Sequence, residues 1–277
     1  MDKNTWINIT YLVANLLLTI VISGTAGVPP PEMPQEMPPE RSQLPVQLPE
    51  PKTPPGVVQP VARLAEPASR TAVPPRRRPL TTANVYRRMP TANSVVALTI
   101  DDGPGARTRE LLAILEEKKV PATFFLLGKQ AAANPGLARA IVAAGHDVAN
   151  HSWSHPRLTE LSARAVEREI ARCTDVLLDL GINVRPFFRP PYGSRDEQVD
   201  EISRELGYHI LLWDVDSRDW EFDDEEIVLE RALKGLKPGS IVLFHDNPEV
   251  TLRVLPRFID EVRSWGYEFV LLSDYIR

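Results

Sequence analysis

From about Ser94 onward the chain repeats one pattern, a short apolar run followed by a longer amphipathic stretch. The seven apolar runs cover residues 95–100, 122–127, 147–149, 186–188, 209–215, 240–244 and 268–272. Between them, residues 108–119, 130–144, 159–180, 196–206, 225–236 and 252–265 carry apolar residues at helical spacing. Gly145, Gly181, Gly207 and Gly266 each follow such a stretch, as a residue taking positive φ at a helix C-terminus does. A helix between two strands returns the chain to the same end of the sheet, so strands that alternate with helices pair in parallel. The pattern predicts an α/β fold built on a parallel sheet. Periodicity alone leaves an open doubly wound sheet and a barrel as alternatives.

The preceding residues are different. Seventeen of the 27 prolines lie between Pro29 and Pro90, and apolar residues there are too sparse to build a core. Residues 28–93 are therefore read as a disordered proline-rich linker with polyproline II character, and residues 94–277 as the folded domain. Residues 6–22 hold no charge and have a dense apolar centre from Leu12 to Ile22, with Lys3 before it and Gly24-Thr25-Ala26 after it. Residues 1–27 are expected to be a signal peptide or a membrane anchor. That places the domain outside the cytoplasm, in the cell envelope or secreted, with the membrane as a partner if the segment is not cleaved. With no cysteine nearby, a lipoprotein anchor is excluded.

A formal net charge of -5 argues against a dedicated nucleic-acid binder, and no nucleic-acid partner is expected. Arg76-Arg77-Arg78, with Arg87-Arg88 close behind, reads as a solvated charge run; an anionic envelope surface is the sharper alternative. The lone Cys173 rules out an intrachain disulfide and a cysteine-rich zinc site, and its neighbours Ile170, Val176 and Leu177 mark it as a buried thiol.

The polar residues that could do chemistry directly follow the apolar runs. They are Asp101-Asp102-Gly103-Pro104, Asn150 to His155, Arg189 to Gly193, Asp216 to Trp220, and His245-Asp246. In a parallel sheet these strand ends share one edge, which is where barrels and open α/β sheets place their sites. Adjacent carboxylates at a buried strand end repel and need a positive partner, either a divalent metal or Arg189. His151 and His155, read as one helical turn, point two imidazoles the same way, and with an acid they make a three-ligand site of the catalytic kind. His245, with Asp219 or Asp216 nearby, suits acid–base work. His146 is read as a cap or loop residue and His209 as structural.

These residues resemble the five ordered motifs of the polysaccharide deacetylases, the NodB-homology domain of carbohydrate esterase family 4: Thr99 to Pro104, His151 to His155, Arg189 to Tyr192, Asp216 to Trp220, and Leu243 to His245. The resemblance covers residues 94–277. The main departure is Ile100, at a packing position where the family usually has phenylalanine. The resemblance implies a distorted (β/α) barrel of seven strands. It also implies a divalent metal, zinc before cobalt, nickel or manganese, held by Asp102, His151 and His155. Asp101 would be the general base, oriented by Arg189, and His245 the general acid, tuned by Asp219. Tyr192 would stabilise an oxyanion through its backbone N–H, and Trp220 and Leu243 would line an acetyl pocket. The implied activity is hydrolysis of N-acetyl groups on a polysaccharide such as peptidoglycan N-acetylglucosamine or chitin-like oligomers. An O-acetyl esterase and an inactive sugar-binding module are the rivals. The tyrosine in Arg189-Pro190-Pro191-Tyr192 resembles glucosamine-type rather than muramic-type members.

Overall fold

The computed structural model describes residues 79–80 and 84–276. The apolar segment 1–27 and most of the proline-rich stretch lie outside the described residues. Among the described residues no helix is long and apolar enough to cross a membrane.

Among the described residues nine strands form the sheet: β1 Val85–Tyr86, β2 Val95–Asp101, β3 Ala122–Leu126, β4 Asp147–Asn150, β5 Phe187–Phe188, β6 His209–Leu211, β7 Val215–Asp216, β8 Ile241–His245 and β9 Glu268–Phe269. The helices are α1 Thr108–Lys118, α2 Gly128–Ala133, α3 Pro135–Ala143, α4 Ala163–Asp179, α5 Glu197–Glu205, α6 Glu225–Leu233 and α7 Glu249–Ser264. The strands run β1-β6-β5-β4-β3-β2-β8-β7, with β9 beside the start of β2. Every pairing between named strands is parallel. Among the described residues β1 and β7 do not pair with each other, and an isolated antiparallel bridge between Arg88 and Ser240 is the link across the gap, so the sheet is a curled, incomplete barrel.

Two features raise the count from the expected seven to nine. First, β1 lies inside the stretch assigned to the linker. Its two residues pair with Ile210 and Leu211 of β6, and the following Met89 is buried under the barrel, so folded structure begins before Ser94. Second, the single apolar run 209–215 is two strands. Residues 212–214 leave the sheet at β6, next to the β1 edge, and join the opposite edge, where β7 pairs with β8. Asp214 fixes the crossing by accepting from the Ile241 N–H at 2.9 Å and the Ser240 hydroxyl at 3.1 Å.

The expected helix 130–144 is broken at Asn134–Pro135. Pro135 has no N–H to give an interior turn and instead begins α3. The expected helix 159–180 begins at Ala163, after a 3-10 turn over Leu158–Glu160. The four glycines expected to end helices all take positive φ.

β2 sets the positions in the site. All seven of its residues are buried, and they alternate between two cores. Val96, Leu98 and Ile100 face the helical layer, so Ile100 is a packing residue there. Val95 and Ala97 face the barrel interior with Phe125, Ala149, Phe187, Leu211 and Ile241. A period of two then turns Thr99 and Asp101 inward as well. In β8 the same alternation turns Ile241, Leu243 and His245 inward. Thr99 and Asp101 are in register with Leu243 and His245 of β8.

Candidate active site

Asp101 ends β2 and is nearly fully buried. Its Oδ1 accepts from Arg189 Nη1 at 2.7 Å, while its Oδ2 faces His151 Nε2 at 3.6 Å. One oxygen is therefore held and the other is directed into the site. Arg189, from the end of β5, has no exposed surface. It also donates to the Thr99 hydroxyl at 2.9 Å and to the Leu211 and Leu212 carbonyls at 3.1 Å each, and its guanidinium lies 4.0 Å from the centre of the Phe125 ring. Burial pulls its pKa down, and Asp101 opposes that. A buried cation is tolerable only with such a full set of partners.

Asp102 takes φ 72° and so turns away from its neighbour. Its Oδ1 is buried and has no hydrogen-bond partner. That oxygen lies 3.4 Å from His151 Nε2 and 3.3 Å from His155 Nε2. The three potential ligand atoms lie within 4.8 Å of one another. Ligands at about 2.0–2.1 Å from a tetrahedral ion are separated by about 3.3 Å, so the donor set and its spacing fit a divalent cation. The orphaned oxygen fits it too, because an ion would satisfy it. Burial favours the neutral acid at Asp102, but His151, His155 and His245 outweigh it and hold the pKa down to about 2. His151 Nδ1 donates to the Arg189 carbonyl at 2.7 Å, which presents Nε2 to the site.

The two histidines do not share a helical turn, contrary to the sequence expectation. Residues 151–155 form a loop in which Ser152 and His155 take φ 70° and 64°. The Asn150 side chain accepts from Ser152 N–H at 2.8 Å, and the Ser152 hydroxyl accepts from His155 N–H at 3.1 Å. Asn150 is itself anchored to α4 through the Ile170 carbonyl and Thr174. Tyr192 and Arg218 also have positive φ, so five of the six non-glycine residues in this conformation belong to the rim loops. Each costs on the order of 1 kcal/mol, which the surrounding contacts must offset, and such outliers cluster at functional sites.

His245, ending β8, donates from Nδ1 to Asp219 Oδ1 at 2.7 Å. Asp219 Oδ2 accepts from the His245 backbone N–H at 2.8 Å and from the Thr251 hydroxyl at 2.6 Å. Asp219 rather than Asp216 is thus the partner. Burial works against charge on His245, but Asp219, with Asp101 and Asp102, outweighs it and raises the pKa to about 9.

A pocket of about 450 Å³ opens over these groups, with Tyr192, Trp213, Trp220 and Leu243 among its walls. Leu243 is buried at the floor, whereas Tyr192 and Trp220 are 60% and 58% exposed at the rim. The Tyr192 ring packs edge-on against His155 at 4.5 Å between centres.

The family model described as polysaccharide deacetylase matches residues 88–211. A peptidoglycan-N-acetylglucosamine deacetylase of Bacillus cereus is 31% identical over 202 residues, which are 71% of this chain and 94% of that protein. The chain belongs to the polysaccharide deacetylase family. Another family member, the peptidoglycan-N-acetylglucosamine deacetylase PgdA of Listeria monocytogenes, is 38% identical over 183 residues, 66% of this chain. The match spans only 39% of that relative's length. Among solved structures, a family 4 carbohydrate esterase from Streptomyces lividans in complex with acetate superposes with a TM-score of 0.62 at 35% identity, covering 65% of this chain and 94% of that one.

The polysaccharide deacetylase fold brings all ten expected site residues to one edge of the barrel. The matched family stretch ends at Leu211, so Asp219 and His245 join the site from beyond it. Sequence reasoning missed Trp213, Arg157 and Thr251, and it placed Asp246 in the polar cluster after Phe244 without giving it a role. Asp246 is fully buried and accepts from the Thr108 hydroxyl at 2.7 Å and from Gly105 N–H at 3.0 Å. It braces the turn after Asp102, and a Cβ on Gly103 would come within 2.7 Å of its carboxylate. Burial pushes its pKa up to about 6 against those two hydrogen bonds. The adjacency of Asp246 to His245 was the available signal.

Proposed function

We propose that the protein hydrolyses N-acetyl groups on polysaccharide sugars, most directly N-acetylglucosamine of peptidoglycan or chitin-like oligomers, outside the cytoplasm. The observation that carries this reading is the convergence of three sets on one rim: Asp101 with Arg189, His245 with Asp219, and the unsatisfied Asp102 oxygen with two imidazole nitrogens. A divalent ion held by Asp102, His151 and His155, for which zinc suits the nitrogen and oxygen donors, would polarise the acetyl carbonyl and acidify water.

The remaining work falls to the chain. Asp101, with Oδ1 fixed by Arg189, uses Oδ2 to take the proton from the attacking water. The positive charge of Arg189 beside it suits the ionised carboxylate that a base must be. The backbone N–H of Tyr192 donates to the carbonyl oxygen as negative charge develops there. Leu243 and Trp220 enclose the acetyl methyl group. An amine leaves poorly until it is protonated, and His245 supplies that proton from Nε2 while Asp219 holds the ring and stabilises its charge.

The apolar segment before residue 28 supports an envelope location, and the names of the Listeria and Bacillus relatives support a peptidoglycan substrate. The esterase name of the Streptomyces neighbour favours O-acetyl hydrolysis as the second reading. The test is acetate release by the full chain from chitin oligomers, peptidoglycan and acetylxylan, with and without chelator. Chelator-sensitive release from the N-acetylated polymers is expected. Release from acetylxylan alone would replace the amide reading with the ester one.

A further inference from the structure

An N-acetylated sugar carries no charge, yet the pocket mouth holds a guanidinium. Histidines apart, the charged residues lining the pocket are Asp101, Asp102, Asp216 and Arg157. Arg157 is the one permanent cation among them. It lies in the loop that carries His151 and His155, two residues past the latter. Its guanidinium sits 4.9 Å from the centre of the Tyr192 ring, which itself packs on His155. The stacked contact fixes the guanidinium at the rim while its side chain stays half exposed. Its ion pair is with Glu160 at 3.4 Å, and the Glu160 side chain is 71% exposed. A solvent-exposed pair of this kind contributes little and gives way readily to a better-placed anion.

We propose that Arg157 recognises a carboxylate carried by the glycan next to the sugar being deacetylated, making this deacetylase selective for acidic over neutral polymers. The inference rests on the deacetylase reading and specifies its substrate class. The planar guanidinium offers paired N–H donors that match a carboxylate. Among the lining side chains, Arg157 is the cation placed at the mouth, where a carboxylate on a neighbouring sugar would meet it before the deeper catalytic groups. Opposite charge at the mouth also raises the encounter rate with an anionic polymer. In a glycan of alternating amino sugars, the carboxylate could sit on a lactyl ether of the neighbouring sugar or on an attached peptide.

The experiment uses the full chain, as wild type, Arg157→Gln and Arg157→Glu. The three soluble probes are neutral N-acetylglucosamine oligomers, a peptide-free glycan with lactyl carboxylates on alternate sugars, and the same glycan bearing peptides. For Arg157→Gln, kcat/KM on the carboxylated glycans is expected to fall about five- to tenfold more than on the neutral oligomers, chiefly through KM. Arg157→Glu is expected to fall further. Raising ionic strength should erode the preference of the wild type and leave that of Arg157→Gln unmoved. A peptide amide consumes the lactyl carboxylate, so an effect on the peptide-free probe alone assigns the lactyl group, an effect on the peptide-bearing probe alone assigns the peptide, and an effect on both shows that Arg157 takes either carboxylate. Equal losses on neutral and acidic probes would overturn the proposal. Calorimetric affinities for the same glycans separate this proposal from the catalytic reading. With no acetate released from any probe, weaker binding of the acidic glycans by Arg157→Gln upholds the role of Arg157, and unchanged binding refutes it.

Discussion

Replacing Asp219 by asparagine tests how the proposed general acid, His245, is made. His245 is raised from 6.5 to about 9 against the opposing effect of burial, with Asp219 the leading cause and Asp101 and Asp102 adding to it. A cation beside Asp101 and Asp102 offsets their share, so the alkaline limb of the wild type should fall above 6.5 and below that upper value. The amide oxygen introduced by Asp219→Asn can still accept from Nδ1, so the ring stays in place, but the carboxylate charge is gone. Each unit of pKa is about 1.4 kcal/mol, and a hydrogen bond to a charged group contributes about 1.5–3 kcal/mol. The limb should therefore move down by about one to two units. The acid must be protonated, so activity is lost as pH rises through its pKa. Asp219→Asn should approach wild-type turnover only on the acid side of its own lowered limb, and above both limbs it should be about ten- to a hundredfold slower than the wild type. The assay is initial acetate release from N-acetylglucosamine oligomers across pH 5–10, with metal content checked at each pH. A uniform loss at every pH with an unmoved limb would show that Asp219 does not set the proton affinity of the acid.

Two further substitutions follow from the same geometry. Arg189→Met leaves Asp101, Thr99 and two carbonyls without their buried donor, and should cost about 3–5 kcal/mol in denaturant unfolding as well as turnover. Arg189→Lys should not restore either, because one ammonium cannot reach all four acceptors. His151→Ala removes one of three ligands, and divalent-ion content after dialysis should fall from about one per chain to near zero. In the wild type, Asp101 and Asp102 outweigh burial and raise the His151 pKa, so a proton competes with the ion there and loading should fall as pH falls.

The rim was legible because it depends on local rules. Apolar runs ending in polar clusters mark strand ends, and a period of two carries Asp101 and His245 to the interior from sequence alone. The exceptions are long-range. The guanidinium of Arg189 meets groups from β2 and from the end of β6, 90 and 22 residues away. The stretch 151–155 has the spacing of a helical turn, but bonds to Asn150, and through it to α4, hold it as a strained loop. β1 is two residues in proline-rich surroundings, and its pairing with β6 makes it a strand rather than any propensity of its own. The run 209–215 reads as one strand because its two halves are equally apolar. Only the curl of the sheet brings its second half to the opposite edge.

The central claim is that Asp101 acts as the base beside a metal it does not bind. The direct measurement is acetate release by the full chain as wild type and Asp101→Asn, at matched and measured divalent-ion content. Equal ion content with at least about a hundredfold slower release in Asp101→Asn is the expected result. Release that persists in Asp101→Asn, or that disappears only because the ion is lost with it, would contradict that division of roles.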